Sequence, residues 1–349
     1  MAEQHRTKTS QKFRASILNL VLVLLIYALF FVLIKNGMIN AYYIRILNLV
    51  CINIVAVVSL NIVTGFLGQL VLGHAGFMLI GAYFSAIFTK TVAWDLHFSI
   101  LVGMIGGGIF AAFVGMIIGL PALRLKGDYL AIVTLGFGEI LRVLANNLKI
   151  TGGALGYSRF PTFNTTKEPT TFFTYVFFTA VFVIFFSYTF GTSRHGRAIV
   201  SIREDEIAAE SSGVNITYYK LMAFMLSAFF AGVSGALLAH QTGSVDPSNF
   251  GFTKSVEYLM MTVLGGLGSI TGSTLSALLL TALPEFLRFM KDWRALIYSV
   301  LLILVMLFRP SGLFGRKEMH ITSFYEKIFP FMRKGATSTS DEQEGGDAS

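Results

Sequence analysis

Residues 255–283 read SVEYLMMTVLGGLGSITGSTLSALLLTAL, a stretch too long to cross a membrane once as a straight helix. At about 1.5 Å per residue it would extend about 43 Å, against a hydrocarbon core about 30 Å thick. Its centre, residues 264–269, is rich in glycine, which disfavours a continuous helix. The stretch therefore predicts two membrane elements separated by a break. One long tilted helix with a glycine-packed face is the alternative.

The composition of the whole chain is that of a membrane protein. Its 349 residues are 54% hydrophobic and only 13% charged, whereas soluble domains carry about 25% charged residues. This balance excludes an ordinary soluble enzyme and a disordered chain. The single Cys51 excludes a disulfide framework and a cysteine metal cluster. We attribute the net charge of +8 to basic cytoplasmic loops rather than to nucleic-acid binding.

Apolar runs of about 20 residues, the length needed to span a bilayer, recur along the chain. Besides 255–283, the candidate spans are 15–34, 43–63, 70–89, 98–120, 129–148, 171–190, 219–239 and 295–308. Basic residues before the first span predict a retained signal anchor with a cytoplasmic N-terminus. Counting 255–283 as two elements gives about ten transmembrane or re-entrant helices and a cytoplasmic C-terminus. We therefore predict an all-α, polytopic integral membrane protein.

This topology divides the chain into three regions. Residues 1–14 form a cytoplasmic N-terminal segment, and residues 15–310 form the transmembrane domain. Residues 311–349 form a cytoplasmic tail, which we expect to be disordered at its polar end.

The longest predicted cytoplasmic loop is residues 191–218, and it holds a helix-forming core at 204–211. Asp205 and Glu206 favour the N-terminal half of a short helix, and Gly213 is placed to act as its C-cap. Two interpretations are open at this point. The helix is a knob that fits a groove on another protein, or the loop is solvated and contains one helical turn.

One run in this loop carries a resemblance to a known family. Ile207 to Gly213, IAAESSG, resembles the EAA---G loop of permease subunits of ATP-binding-cassette importers, with Ile207 where that motif has glutamate. Residues 196–235 as a whole are similar to the corresponding loop and helix of the M-type permeases of high-affinity branched-chain amino acid importers. Four further stretches resemble the same family, in the same order: 60–83, 126–140, 151–156 and 263–272. The resemblance covers roughly residues 40–310.

The resemblance implies a permease that works by alternating access and carries leucine, isoleucine or valine. It implies four kinds of partner: two cytoplasmic ATPase subunits that hold ATP with magnesium, a second permease subunit or a second copy, an extracytoplasmic substrate-binding protein, and membrane lipid. It also implies the plasma membrane of a bacterium or archaeon. The residues that would couple the chain to the ATPases are Arg203, Glu204, Asp205, Glu206, Ala208, Ala209 and Gly213.

Polar residues and glycines inside the spans are the candidates for the translocation path. They are Gln69, Gly73, His74, Glu139, Arg142, Gly265, Gly266 and Gly268. Glu139 lies about ten residues into its span, near mid-bilayer, with Arg142 on the same helical face. The two predict an ion pair that faces the bundle interior. A structural role stays open as the alternative. Glu139 and Arg142 would then be an ion-pair clamp, His74 would only donate or accept hydrogen bonds, and the glycines at the predicted break would only make a tight turn.

The motifs that the sequence lacks bear on the other functions. It has no GxxxxGK[ST], HExxH or GxSxG motif, so we expect neither a nucleotide site nor a hydrolase site, and no cofactor or metal bound by this chain. No nucleic-acid partner is expected. The alternatives are an ion-driven secondary transporter of a small amino acid or amide, and the same importer class with urea or another amino acid as substrate. A secondary transporter would show more intramembrane charges and an internal repeat.

Overall fold

A computed structural model describes residues 21–92, 94–125, 127–162 and 169–293, with isolated residues between 296 and 312. The predicted segment 1–14, almost all of the predicted tail 311–349, and half of the predicted span 295–308 lie outside these residues.

The described part of the chain is built almost entirely of helices. They are α1 (Val21–Lys35), α2 (Ala41–Asn61), α3 (His74–Thr91), α4 (Leu96–Ala122), α5 (Asp128–Asn147), α6 (Pro169–Thr192), α7 (Arg194–Glu204), α8 (Glu206–Ser211), α9 (Ile216–Thr242), α10 (Phe252–Gly265) and α11 (Ile270–Phe286). A π-helix, Ile62–Leu67, continues α2. Short 3₁₀ segments are Lys149–Thr151, Gly153–Leu155, Pro247–Phe250 and Leu287–Trp293. Two short strands, β1 (Tyr157–Ser158) and β2 (Ser244–Val245), pair antiparallel.

Five helical stretches are long and apolar enough to cross a membrane. They are Ala41–Leu67, Leu96–Ala122, Pro169–Thr192, Ile216–Thr242 and Ile270–Phe289. The prediction of an all-α polytopic membrane protein is therefore confirmed. Helices α3, α5 and α10 occupy further predicted spans but are shorter or less apolar than those five. The number of ten membrane elements and the cytoplasmic placement of both termini stay predictions.

The long stretch 255–283 is interrupted as predicted, and the alternative of one continuous helix is wrong. α10 ends at Gly265 and α11 begins at Ile270. Gly266 (φ +109°) and Gly268 (φ +89°) adopt backbone angles that favour glycine. A Cβ atom on Gly265 would lie 2.6 Å from the carbonyl carbon of Gly272, so the two helices lie backbone to backbone. The break therefore makes a helical hairpin.

Close approach between backbones also holds α3 against α9. A Cβ atom on Gly81 would lie 2.0 Å from the carbonyl oxygen of Gly232, and one on Gly235 would lie 1.9 Å from that of Met78. Lipid tails are as apolar as leucine, so helices in a membrane associate through close packing of small residues rather than through the hydrophobic effect. α2 and its π-helical extension run through the interior, where residues 52–67 are all buried.

The Gly81–Gly232 contact can be tested by adding one methyl group. We expect Gly81→Ala to lower stability by about 1–3 kcal/mol, because backbone atoms fill the space that the methyl group needs. The control is Gly136→Ala in α5, where nothing lies within 4 Å of the added Cβ atom. This control should be neutral or stabilising by up to about 1 kcal/mol, since alanine favours a helix. Thermal unfolding in detergent measures both, and equal midpoints would contradict the expectation.

Candidate functional site

The loop 191–218 contains two helices, where the sequence predicts one. The predicted helix is α8, and Asp205 caps it: its Oδ1 accepts the backbone N–H groups of Ile207 (2.9 Å) and Ala208 (3.0 Å). Gly213, at φ +84°, ends the helix as predicted. The additional helix is α7, whose N-terminus is capped by the side chain of Ser193. It packs onto the π-helix, a contact that the local sequence does not reveal.

The two faces of α8 differ in character. Ala209 is buried, and Glu206 points inward, where its Oε1 accepts a hydrogen bond from Nζ of Lys220 at 2.9 Å. Lys220 is buried in α9, so this ion pair fixes α8 to a membrane-spanning helix. On the other face Ala208 is exposed and Ile207 is 75% exposed. α8 thus presents a small apolar surface away from the rest of the chain.

Arg203, near the end of α7, crosses the end of the π-helix. Its Nη1 donates to the carbonyl oxygen of Gly65 at 2.7 Å, while its Nε and Nη2 pair with Oε1 of Glu204. Its Cγ would lie 2.4 Å from a Cβ atom on Gly68. Carbonyl groups at a helix end have no partner within the helix, and the guanidinium supplies one here.

The residues between the π-helix and α3, 68–73, are irregular. Their freed backbone groups find side-chain partners on other helices. The N–H of Leu72 donates to Oγ1 of Thr134 (3.1 Å), and the N–H of Ala75 donates to Oγ of Ser255 (3.1 Å). Gly73 lies against the backbone of Thr134, where a Cβ atom would be 2.1 Å from its carbonyl oxygen. Gln69 is half-buried, and its Oε1 has no partner among the described residues.

His74 opens α3 and is buried. Its Nε2 lies 3.0 Å from Oγ of Ser59 and 3.0 Å from the carbonyl oxygen of Ala56. These contacts tie α3 to α2 and agree with the structural alternative for this residue. Nδ1 has no hydrogen-bond partner in the part of the chain that the structure describes.

Glu139 and Arg142 form the predicted ion pair, with Oε2 and Nε 2.7 Å apart. The side chains of Arg142 and Glu139 are 30% and 33% exposed, so the pair is mostly covered within the chain, and its placement toward the bundle interior stays a prediction. Oε1 of Glu139 accepts the N–H of Phe252 at 3.0 Å. A carboxylate therefore lies at the N-terminus of α10, where the helix dipole favours negative charge.

A second ion pair lies one turn along α10. Nζ of Lys254 is 2.9 Å from Oε2 of Glu257, and it also lies 5.1 Å from the centre of the Tyr258 ring. The beginning of α10 thus carries charges of both signs on its own residues and on the neighbouring α5.

Two loops meet at the end of the bundle that lies away from α7 and α8. Strand β1 in one loop pairs with β2 in the other, placing Tyr157 opposite Val245. Nζ of Lys90 lies 4.6 Å from the centre of the Tyr157 ring. Burial raises the pKa of the Tyr157 phenol, so this group stays neutral at physiological pH. The strand pairing thus joins the two loops.

The glycines at the break lie far along α10 from Glu139 and Arg142. The N–H of Gly266 donates to the carbonyl oxygen of Thr262, and that of Gly268 donates to Oδ1 of Asn61 at 2.9 Å. These amide groups are therefore used within the chain, which agrees with the tight-turn alternative. Contact of Gly265, Gly266 or Gly268 with substrate stays a prediction, as it does for the other path residues.

Several residues that hold these elements together are not among the predicted site residues. They are Asn61, Thr134, Lys220 and Ser255. Each is a polar side chain within or at the edge of an apolar run, which is the signal that a sequence offers. That signal identifies the residue but not its partner.

Comparison with known proteins gives the family. The family described as branched-chain amino acid transport system, permease component, matches residues 42–308. The chain is 38% identical over 235 residues to the high-affinity branched-chain amino acid transport system permease protein LivM of Escherichia coli, covering 59% of this chain and 55% of that protein. It is 35% identical over 147 residues to the permease protein BraD of Pseudomonas aeruginosa, covering 40% and 48%.

A further similarity is to the permease protein LivH of Escherichia coli, with 34% identity over 130 residues that cover 36% of this chain and 42% of that protein. The chain thus spans about half the length of the curated relatives it matches. No solved structure shows a significant match. Since the family match covers most of its length, the chain belongs to the family of permease components of branched-chain amino acid transport systems.

Proposed function

We propose that this chain is the membrane-spanning permease subunit of an ATP-binding-cassette importer that carries leucine, isoleucine or valine by alternating access. The observation that carries the proposal is α8, a capped helix outside the membrane-spanning helices that exposes Ile207 and Ala208. An apolar surface on a short, well-anchored helix suits a groove on a partner protein. The substrate class follows from the similar proteins, which are branched-chain amino acid transport system permeases.

The proposed partners follow from the same features. Two cytoplasmic ATPase subunits, holding ATP and magnesium, bind the exposed face of α8, and this chain binds no cofactor of its own. A second permease subunit, related to this chain or identical to it, completes the path. The similarity to both LivM and LivH supports a related subunit. A substrate-binding protein docks on the surface formed by the two loops that β1 and β2 join, and the complex lies in the plasma membrane of a bacterium or archaeon.

The site that suits an amino acid substrate lies at the beginning of α10. Glu139 and Arg142 present opposite charges, and both side chains are partly exposed. A free amino acid is a zwitterion, so its ammonium group matches the carboxylate and its carboxylate group matches the guanidinium. This gives the ion pair a role in substrate binding beyond that of a clamp between α5 and α10.

The docking role of α8 is tested by adding a charge to its exposed face. We expect Ala208→Glu to reduce ATP-dependent uptake of labelled leucine at least about tenfold, because an unpaired carboxylate would be buried in the interface with the ATPase. The protein is co-expressed with its partner subunits and reconstituted in proteoliposomes. The control, Ser201→Glu, adds the same charge at an exposed position of α7 and should leave uptake unchanged.

Three outcomes would contradict parts of this proposal. Full uptake by the Ala208→Glu variant would remove α8 from the interface. Uptake by this chain alone, driven by an ion gradient, would identify a secondary transporter. ATP-dependent uptake of urea or another amino acid in place of leucine would keep the importer class and change the substrate.

The substrate site is tested by Glu139→Gln. The amide still accepts the N–H of Phe252 but no longer pairs with Arg142 or with a substrate ammonium group, so we expect the KM for leucine to rise about tenfold. Glu257→Gln is the matched control, since it breaks an ion pair of the same spacing on α10. Uptake kinetics in proteoliposomes measure both variants. An unchanged KM in an assembled complex would leave Glu139 and Arg142 as a structural clamp only.

A further inference from the structure

The break between α10 and α11 is held in part by an amide side chain. Asn61, the last residue of α2, is buried and uses both of its polar atoms on the break. Its Oδ1 accepts the N–H of Gly268 at 2.9 Å, and its Nδ2 donates to the carbonyl oxygen of Ser269 at 3.0 Å. The N–H of Gly268, which the break leaves without a helical partner, is thereby satisfied, and the carbonyl oxygen of Ser269, which also accepts the N–H of Ser273, gains a second donor. The amide fixes the position of the break relative to α2.

The π-helix brings a second backbone against the same break. A Cβ atom on Gly65 would lie 2.4 Å from the backbone nitrogen of Gly268, so this contact is open only to glycine at position 65. The carbonyl oxygen of Gly65 accepts Nη1 of Arg203 at 2.7 Å and would lie 3.5 Å from a Cβ atom on Gly268. Arg203 also reaches Gly268, where a Cβ atom would lie 3.1 Å from Nη1. The guanidinium, the π-helix and the break are thus in direct contact.

Arg203 is joined to α8 by a very short connection. Glu204 holds the Nε and Nη2 atoms of Arg203 and leaves Nη1 directed at Gly65. Asp205, two residues after Arg203, caps the N-terminus of α8. A hydrogen bond from a guanidinium is about twice as strong as one between neutral groups, so the contact persists when the loop moves. A displacement of α8 therefore reaches Gly65 through few rotatable bonds.

We infer that Arg203, Gly65 and Asn61 form a linkage that transmits the movement of α8 to the break between α10 and α11. The inference rests on the proposed function, since the movement of α8 comes from the ATPases. It makes Arg203 and Asn61 positioning residues for the hairpin of α10 and α11, whose other end carries the contact with Glu139. The broken helix is then driven by the loop in addition to α9, to which the Glu206–Lys220 ion pair joins α8.

Arg203→Met and Asn61→Ala each remove one end of the linkage. In the reconstituted complex we expect each variant to lower the amount of leucine taken up per ATP hydrolysed at least about tenfold, while ATP hydrolysis stays within about twofold of the wild type. The double variant should be no worse than the more affected single variant, because both residues act through one contact network. The linkage would be overturned if the effects of the two substitutions multiplied in the double variant. It would also be overturned if leucine uptake and ATP hydrolysis fell by the same factor.

Each variant has a matched control in its own helix. Asn48→Ala removes another buried asparagine of α2, whose side-chain atoms have no hydrogen-bond partner among the described residues. Arg197→Met removes another arginine of α7, which is exposed and donates to the carbonyl oxygen of Thr192. Both controls should keep the wild-type ratio of uptake to hydrolysis. A control that loses this ratio as strongly as its counterpart would overturn the assignment.

A spectroscopic measurement separates the linkage from the choice of substrate. The half-exposed Leu267 lies in the break, so a fluorophore is attached there in an L267C variant that also carries C51A. ATP with magnesium should change the fluorescence of the complex, and Arg203→Met or Asn61→Ala should abolish this change. A persisting change in both variants would overturn the inference. A wild-type response without leucine uptake would support the linkage and refute the substrate, whereas leucine uptake without a response would refute the linkage and keep the proposed function.

Discussion

The structure depends on one constraint of the hydrocarbon environment: a backbone N–H or carbonyl group that leaves a helix must find a partner within the protein. Within the described residues, the helices of the bundle are interrupted at 68–73 and at 266–269. At both places side chains of other helices partner some of the freed backbone groups. Asn61 serves the break between α10 and α11, while Thr134 and Ser255 serve the entry to α3. The irregular segments are thus tied to the neighbouring helices by hydrogen bonds.

The same constraint places the loop 191–218 in contact with the membrane-spanning part. The end of the π-helix leaves the carbonyl oxygen of Gly65 without a helical partner, and Arg203 provides one from outside. Lys220 and Glu206 make a second connection from α9 to α8. A loop held at two points moves with the helices that hold it. This is the mechanical requirement for a subunit whose energy comes from another chain.

Local features of the sequence predict much of this arrangement. The length and glycines of 255–283 predict the break, and Asp205 and Gly213 predict the ends of α8, because capping depends on neighbouring residues. The i, i+3 spacing predicts the ion pair of Glu139 and Arg142. Local features do not predict that Glu139 meets Phe252, 113 residues away, or that Asn61 meets Ser269, 208 residues away. Those pairings are set by how the helices pack, which the composition of an apolar run leaves open.

The backbone contact between α3 and α9 bears on how members of this family can be recombined. Where Gly81 meets Gly232, the two main chains are in contact and no side chain lies between them that a different rotamer could adjust. The backbone of each helix at this point therefore packs well only against a partner helix of matching shape. A chimera that takes α3 from a relative should also take α9, although 153 residues, from 82 to 234, separate Gly81 from Gly235 in the chain. Exchange of the two helices as one block preserves the fit, and a crossover between them breaks it.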